Sequence, residues 1–141
     1  ELDENGKFIK TINYKKRVGL ATRLVIGRKN EKIILSPTNC TVQVFDVDGK
    51  LVCQFGKCGK GIGEFDNPLG LDADKYGNIY VADTGNHRIL KFDSNGNFKC
   101  SFGKYGKKTG EFNNPCGICI VDNLIYVADE KNNRIQVLEI T

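Results

Sequence analysis

The chain contains no methionine, a single histidine, and no apolar run approaching the roughly 18 to 20 residues that a membrane-spanning helix needs. No basic start followed by an apolar stretch marks a secretory leader. Lys and Arg number 21 against 17 Asp and Glu. That excess is too mild to act as a basic tail or to name a partner by itself. With one histidine and no second C-x-x-C pair beside Cys116 and Cys119, the sequence offers nothing to complete a tetrahedral zinc site there. A chain that opens on Glu1 and lacks methionine reads as a piece of a larger protein, yet its 141 residues suffice for one domain with a real core.

What is present is a repeat. Asp3-Glu4-Asn5-Gly6-Lys7-Phe8 returns as Asp46-Val47-Asp48-Gly49-Lys50-Leu51 and as Asp93-Ser94-Asn95-Gly96-Asn97-Phe98. The last two copies continue as Cys53-Gln54-Phe55-Gly56-Lys57 and Cys100-Ser101-Phe102-Gly103-Lys104. Gly63-Glu64-Phe65-Asp66-Asn67-Pro68 matches Gly110-Glu111-Phe112-Asn113-Asn114-Pro115. Ile79-Tyr80-Val81-Ala82-Asp83 matches Ile125-Tyr126-Val127-Ala128-Asp129. The periods run approximately over 3–45, 46–92 and 93–139, the first of them degenerate.

Each period reads as four short strands. The first follows the proline (Leu69–Ala73, Cys116–Val121) and the second is the apolar Ile79–Ala82 or Ile125–Ala128. The third is Arg88–Phe92 or Arg134–Leu138; the fourth is Phe98–Phe102, Leu51–Phe55 or Phe8–Ile12. Asp-x-x-Gly turns and Tyr76-Gly77-Asn78 punctuate them. The second strand is apolar on both faces, as in a sheet packed between two neighbours. An all-β fold of four-stranded sheets repeating every 40 or 50 residues or so is a β-propeller.

Gly77-Asn78-Ile79-Tyr80-Val81-Ala82-Asp83-Thr84-Gly85-Asn86-His87-Arg88-Ile89 resembles the NHL repeat, with Arg88 in the third position of its name-giving triplet. The Gly-Glu-Phe-x-x-Pro segment ahead of each unit is similar to tripartite-motif NHL proteins. That resemblance implies a six-bladed ring of which this chain holds about three blades. It opens on a fourth strand and ends on a third, so the remaining blades come from a parent chain, the favoured reading, or from a second copy. The resemblance also implies the targeting module of a RING-type ubiquitin ligase, with no cofactor and no membrane contact.

Strand parity puts the loops from fourth to next first strand on one rim with those from second to third. That rim gathers Lys15, Lys16, Arg17, Lys57, Lys60, Lys104, Lys107, Lys108 and Lys131, with Tyr14 and Tyr105 interleaved as stacking surfaces. Such a rim attracts phosphates, and the family resemblance implies RNA or protein clients there. Asp83, Asn86, His87, Arg88, Asp129, Asn132 and Arg134 are expected to serve structure, the arginines pairing with the aspartates. Asn133 in place of His87 in the next copy argues against a required imidazole.

The six cysteines are Cys40, Cys53, Cys58, Cys100, Cys116 and Cys119. An even count suggests disulfides in a short secreted chain. The apolar strands supply a core without crosslinks, so the expectation is reduced, buried thiols in a cytoplasmic protein. Cys116 and Cys119 have C-x-x-C spacing, but residues three apart on a strand point to opposite faces. Gly59-Lys60-Gly61-Ile62-Gly63 lacks the order of a phosphate-binding P-loop. Asp72, Asp74 and Asp83 have no partner base or nucleophile in view. No catalytic site is expected in this segment. A lyase class related to NHL propellers relies on several histidines, and His87 stands alone. The functional expectation is therefore a binding scaffold; a pure protein-interaction propeller or an extracellular sensor domain is the alternative.

Overall fold

The computed structural model describes residues 6–14 and 20–140. Eleven strands form three antiparallel sheets among them. The first blade holds β1 (Arg23–Ile26), β2 (Lys32–Ser36), β3 (Thr41–Phe45) and β4 (Leu51–Phe55). The second holds β5 (Gly70–Ala73), β6 (Ile79–Asp83), β7 (Arg88–Phe92) and β8 (Phe98–Phe102). The third stops at three: β9 (Pro115–Val121), β10 (Leu124–Asp129) and β11 (Arg134–Glu139). In each blade the strands are ordered in space as in sequence.

The turns explain why β-branched and aromatic runs fold back where they do. Asp46 Oδ1 accepts the backbone N–H groups of Asp48 and Lys50, both at 2.9 Å, and Asp93 does the same for Asn95 and Asn97. Asp74 holds the Tyr76 and Asn78 N–H groups in the same way between β5 and β6. Each such aspartate replaces backbone partners that a tight turn cannot supply. The glycine of each Asp-x-x-Gly turn takes the left-handed conformation, φ 80° at Gly49 and 82° at Gly96. A register shift recurs at the same place, between Val44 and Phe45 and between Lys91 and Phe92.

The second blade is packed on both faces. Ile79, Val81, Leu90 and Phe92 meet Ile33, Leu35, Val42 and Val44 of the first blade. Tyr80, Ala82 and Ile89 on its other face meet Ile125, Val127 and Phe112. Every residue of β6 is buried in consequence. Phe92 anchors the first joint, with ring centroids 4.5 Å from Phe55, 5.7 Å from Phe65 and 5.9 Å from Phe98. The innermost strands β1, β5 and β9 lie side by side. There Asp72 Oδ2 accepts the Ile120 N–H at 2.7 Å, and Arg23 Nε donates to the Leu69 carbonyl at 3.1 Å. Polar links between blades thus line the inside of the arc, while apolar contacts fill the joints.

Two expectations change, and one strand left without bounds in the sequence is located. The segment 8–12 does not run as a strand: Phe8 makes one bridge and residues 9–14 have no regular structure. Among the described residues it joins none of the three sheets. It lies along the first blade, where the Asn13 backbone occupies the space a Gly49 Cβ would fill and Tyr14 sits 4.6 Å from Phe45. The worn first repeat contains a first strand, β1, that its sequence does not announce. The thiols are not all buried: Cys53 and Cys116 are half-buried, while Cys100 and Cys119 are exposed. The exposed pair stands where the arc lacks its next sheet or strand. Replacing Phe92 by alanine should lower stability by about 3 to 5 kcal/mol in a denaturant titration. Replacing the exposed Tyr76 should change it by less than about 0.5 kcal/mol.

Candidate functional site

The rim is organised by a carboxylate that water cannot reach. Asp83 ends β6 fully buried, and its Oδ1 accepts the Asp66 N–H at 2.6 Å. Its Oδ2 accepts from Asn86 Nδ2 at 2.9 Å and from Arg88 Nε at 2.8 Å. Arg88 then turns its Nη2 to the Gly61 and Glu64 carbonyls at 2.8 and 3.1 Å, and Asn86 reaches the Gly59 carbonyl at 2.9 Å. The arrangement recurs one repeat on. Asp129 accepts from Asn113 N, Asn132 Nδ2, Arg134 Nε and Gln136 Nε2. Arg134 in turn holds the carbonyls of Lys107, Lys108 and Glu111, each at 2.8 Å. Burying an uncompensated carboxylate costs several kcal/mol, so the donors and the charge arrive together. Burial pushes the Asp129 carboxyl up, but the Asn113 N–H with Asn132, Arg134 and Gln136 outweighs it and holds the group below the usual carboxylate range.

Between Asp and Arg the chain makes a three-residue 3-10 turn, Thr84–Asn86 or Glu130–Asn132. It leaves through a left-handed residue, His87 at φ 56° or Asn133 at φ 51°. Asp83, Asn86 and Arg88, like Asp129, Asn132 and Arg134, thus hold the backbone of the incoming loop. In the first blade Ser36 and Thr41 take the Asp and Arg places. Ser36 Oγ is buried and has no hydrogen-bond partner. Lys15, Lys16 and Arg17, candidate rim residues, lie outside the described residues.

A second kind of link crosses each joint on this rim. His87 packs edge-on against Tyr105, centroids 5.0 Å apart, and its Nδ1 accepts the Asn114 N–H at 3.1 Å. One repeat earlier the equivalent positions are Cys40 and Cys58, joined as a disulfide. Cys40 has the same left-handed backbone as His87 (φ 52°), and Cys58 bridges Phe65 as Tyr105 bridges Phe112. This corrects the expectation of six reduced thiols. The signal was in the sequence, since the repeat aligns Cys40 with His87 and Cys58 with Tyr105. It needed the knowledge that these two positions touch.

The lysines fall into two groups. Lys57 and Lys104 pair with Glu64 at 3.2 Å and Glu111 at 3.7 Å while staying largely exposed. The Gly61 N–H, aided by Lys57, keeps the Glu64 carboxyl below its ordinary value. Lys60, Lys107, Lys108 and Lys131 are exposed on the same rim. Lys107 and Lys108 project from backbone that Arg134 fixes, so their side chains start from an ordered loop. Tyr105 is exposed beside them, whereas half-buried Tyr14 is taken up by Phe45. Ile62, 82% exposed at the tip of its loop, was not anticipated as a contact residue. Among the described residues no group of three or more His, Cys, Asp or Glu is placed to hold a metal ion.

Residues 65–92 and 112–138 match the family model described as NHL repeat. The matches begin at the buried phenylalanine of each rim loop and run through the third strand. No curated protein matches the chain. Among solved structures, the fold is similar to a streptogramin B lyase at TM-score 0.71 and 17% identity, covering 98% of this chain and 43% of that one. It is also similar to the hydrazine synthase of Kuenenia stuttgartiensis (0.67, 15%, covering 94% and 36%). A third is virginiamycin B lyase from Staphylococcus aureus (0.59, 15%, covering 99% and 47%). The chain thus spans less than half the length of these structures. Identities this low establish a shared fold, and the fold is that of partial β-propeller blades.

Asp83→Ala leaves Arg88 without its counter-ion and should cost about 2 to 3 kcal/mol, less than a wholly buried pair because Arg88 keeps some solvent. The depressed Asp129 carboxyl contributes stability above its unfolded pKa, and that contribution is lost as pH falls through the folded value. Stability measured by denaturant from pH 7 down to about 2 should therefore fall less steeply in Asp129→Asn than in the parent chain. A thiol titration of the unfolded, unreduced chain should find four thiols, not six. Reduction should lower stability by about 3 kcal/mol, given the 18-residue separation of Cys40 and Cys58.

Proposed function

We propose that the protein is a binding module that holds an RNA segment on its basic rim, serving in the cytoplasm as the targeting part of a tripartite-motif-like ubiquitin ligase. The observation that carries this is the placement of Lys107 and Lys108 on a loop whose carbonyls are fixed by Arg134, with exposed Tyr105 beside them. Cations carried on an ordered loop next to an aromatic face suit a phosphate backbone with an unstacked base. The NHL repeats support the coarser statement, a propeller scaffold that binds partners.

A second reading is favoured by one observation. The Cys40–Cys58 disulfide suits an oxidising compartment better than a reducing one. A protein-binding propeller outside the cytoplasm would use the same rim, with Ile62 and Tyr105 as its apolar contacts.

Binding of a single-stranded RNA library, followed by fluorescence anisotropy across a salt series, separates the two. The first reading expects affinity to fall steeply with salt and the Lys104→Glu/Lys107→Glu/Lys108→Glu variant to lose at least about tenfold at low salt. An affinity indifferent to both salt and charge reversal removes the RNA assignment and leaves the protein-binding one.

A further inference from the structure

The second and third blades tie the rim with an aspartate, an asparagine and an arginine: Asp83, Asn86 and Arg88, then Asp129, Asn132 and Arg134. In each the asparagine Nδ2 spans from the buried carboxylate to a loop carbonyl. The distances are 2.9 Å to both for Asn86, and 2.9 and 2.8 Å for Asn132. Both asparagines are half-buried in consequence. The first blade carries Ser36, Asn39 and Thr41 in the same places. Ser36 Oγ offers no charge for an amide to bind, and itself lacks a partner. Asn39 is therefore released from the clamp. It is exposed in the turn at 37–40, and its side chain makes no hydrogen bond among the described residues.

The residues that dissolve the clamp also write a different motif. Asn39-Cys40-Thr41 is an Asn-x-Thr sequence whose middle residue is not proline, the acceptor pattern for N-linked sugar. No other asparagine in the chain has serine or threonine two positions on. Where the clamp is intact the third place belongs to arginine, as in Asn86-His87-Arg88 and Asn132-Asn133-Arg134. One departure from the repeat thus frees the amide and supplies the hydroxyl. The middle residue adds an independent observation: Cys40 is bridged to Cys58. Disulfides form and persist along the secretory route, where asparagine is also glycosylated, and exposed turns are where a bulky, solvated glycan is tolerated.

We propose that Asn39 is an N-glycosylation site, modified in the compartment where the Cys40–Cys58 bridge forms. Such a modification presupposes the second reading above, a propeller working outside the cytoplasm. The donor is a lipid-pyrophosphate-linked oligosaccharide. Asn39 Nδ2 attacks C1 of its first sugar. The N–C1 bond forms, the bond from C1 to the pyrophosphate oxygen breaks, and the lipid pyrophosphate leaves as Nδ2 gives up one proton. No oxidant or reductant takes part. The glycan stands on the rim beside the loop of Lys57 and Lys60, which Cys58 joins to the Asn39 turn. It covers the first joint and leaves the half with Tyr105, Lys107 and Lys108 open to a partner.

Secretion of the 141-residue chain from cultured animal cells, behind a cleavable leader, tests this. The chain should run as a heavier form that peptide N-glycosidase returns to the unmodified mobility, and peptide mass should show Asn39 converted to aspartate by that release. Asn39→Gln and Thr41→Ala should each abolish the shift, while Thr41→Ser keeps it. Translation with microsomes reads the same variants on nascent chains, so a variant that fails to fold is still scored. Cys40→Ser/Cys58→Ser preserves the acceptor sequence and should be modified at least as fully as the parent. A chain that forms the Cys40–Cys58 bridge yet carries no sugar overturns the site and leaves the second reading standing. A shift that survives Asn39→Gln also overturns it, since the sugar then sits elsewhere. Six free thiols in the chain isolated from the cells that make it remove the second reading, and the modification with it.

Discussion

A carboxylate placed beyond the reach of water sets the form of the rim. Asp83 and Asp129 end the central strands of their blades fully buried, where an anion is tolerated only with donors arrayed around it. The nearest donors are the backbone of the loop arriving from the previous blade, an asparagine one turn on, and the arginine that opens the third strand. Satisfying the charge therefore fixes the loop. The long glycine-rich loops, which have little apolar surface of their own, are ordered by this electrostatic demand and by one phenylalanine each, Phe65 and Phe112. The first blade shows the converse: with Ser36 and Thr41 in these places, a hydroxyl is left buried without a partner.

Two kinds of force divide the labour between blades. Apolar contact fills the joints and scales with the area it removes from water. Specific hydrogen bonds line the inner strands and the rim, setting how far each blade can slide on the next. Asp72 on the Ile120 N–H and Thr84 Oγ1 on the Pro115 carbonyl at 2.7 Å are of that second kind. Neither is visible in a strand pattern, because each depends on which backbone lies across the joint.

The blades themselves were legible because the repeat states each strand twice. The bounds of β4, β7 and β8 follow the sequence reading residue for residue, since such turns close both ends of β7, and β4 and β8 each start after an Asp-x-x-Gly turn and stop before a left-handed glycine, Gly56 or Gly103. Where only one copy speaks, legibility fails. β1 has Ala21-Thr22-Arg23 where the later copy has Pro68-Leu69-Gly70 to mark its start, and the 8–12 segment has the motif of a strand without the neighbour that would make it one. Strand parity groups the rim lysines in the sequence, and Lys57, Lys60, Lys104, Lys107, Lys108 and Lys131 are exposed. Their differing situations, two paired and others exposed, depend on loop conformations that only the arginine clamps determine.

The link at Cys40 and Cys58 makes the two joints unequal in kind. A His87–Tyr105 contact parts whenever the loops fluctuate, while a covalent tether holds its loops together through the same fluctuation. Local opening of the arc thus has a preferred hinge, between the second and third blades. The fold keeps one stiff joint and one yielding joint in a chain whose repeats otherwise treat them alike.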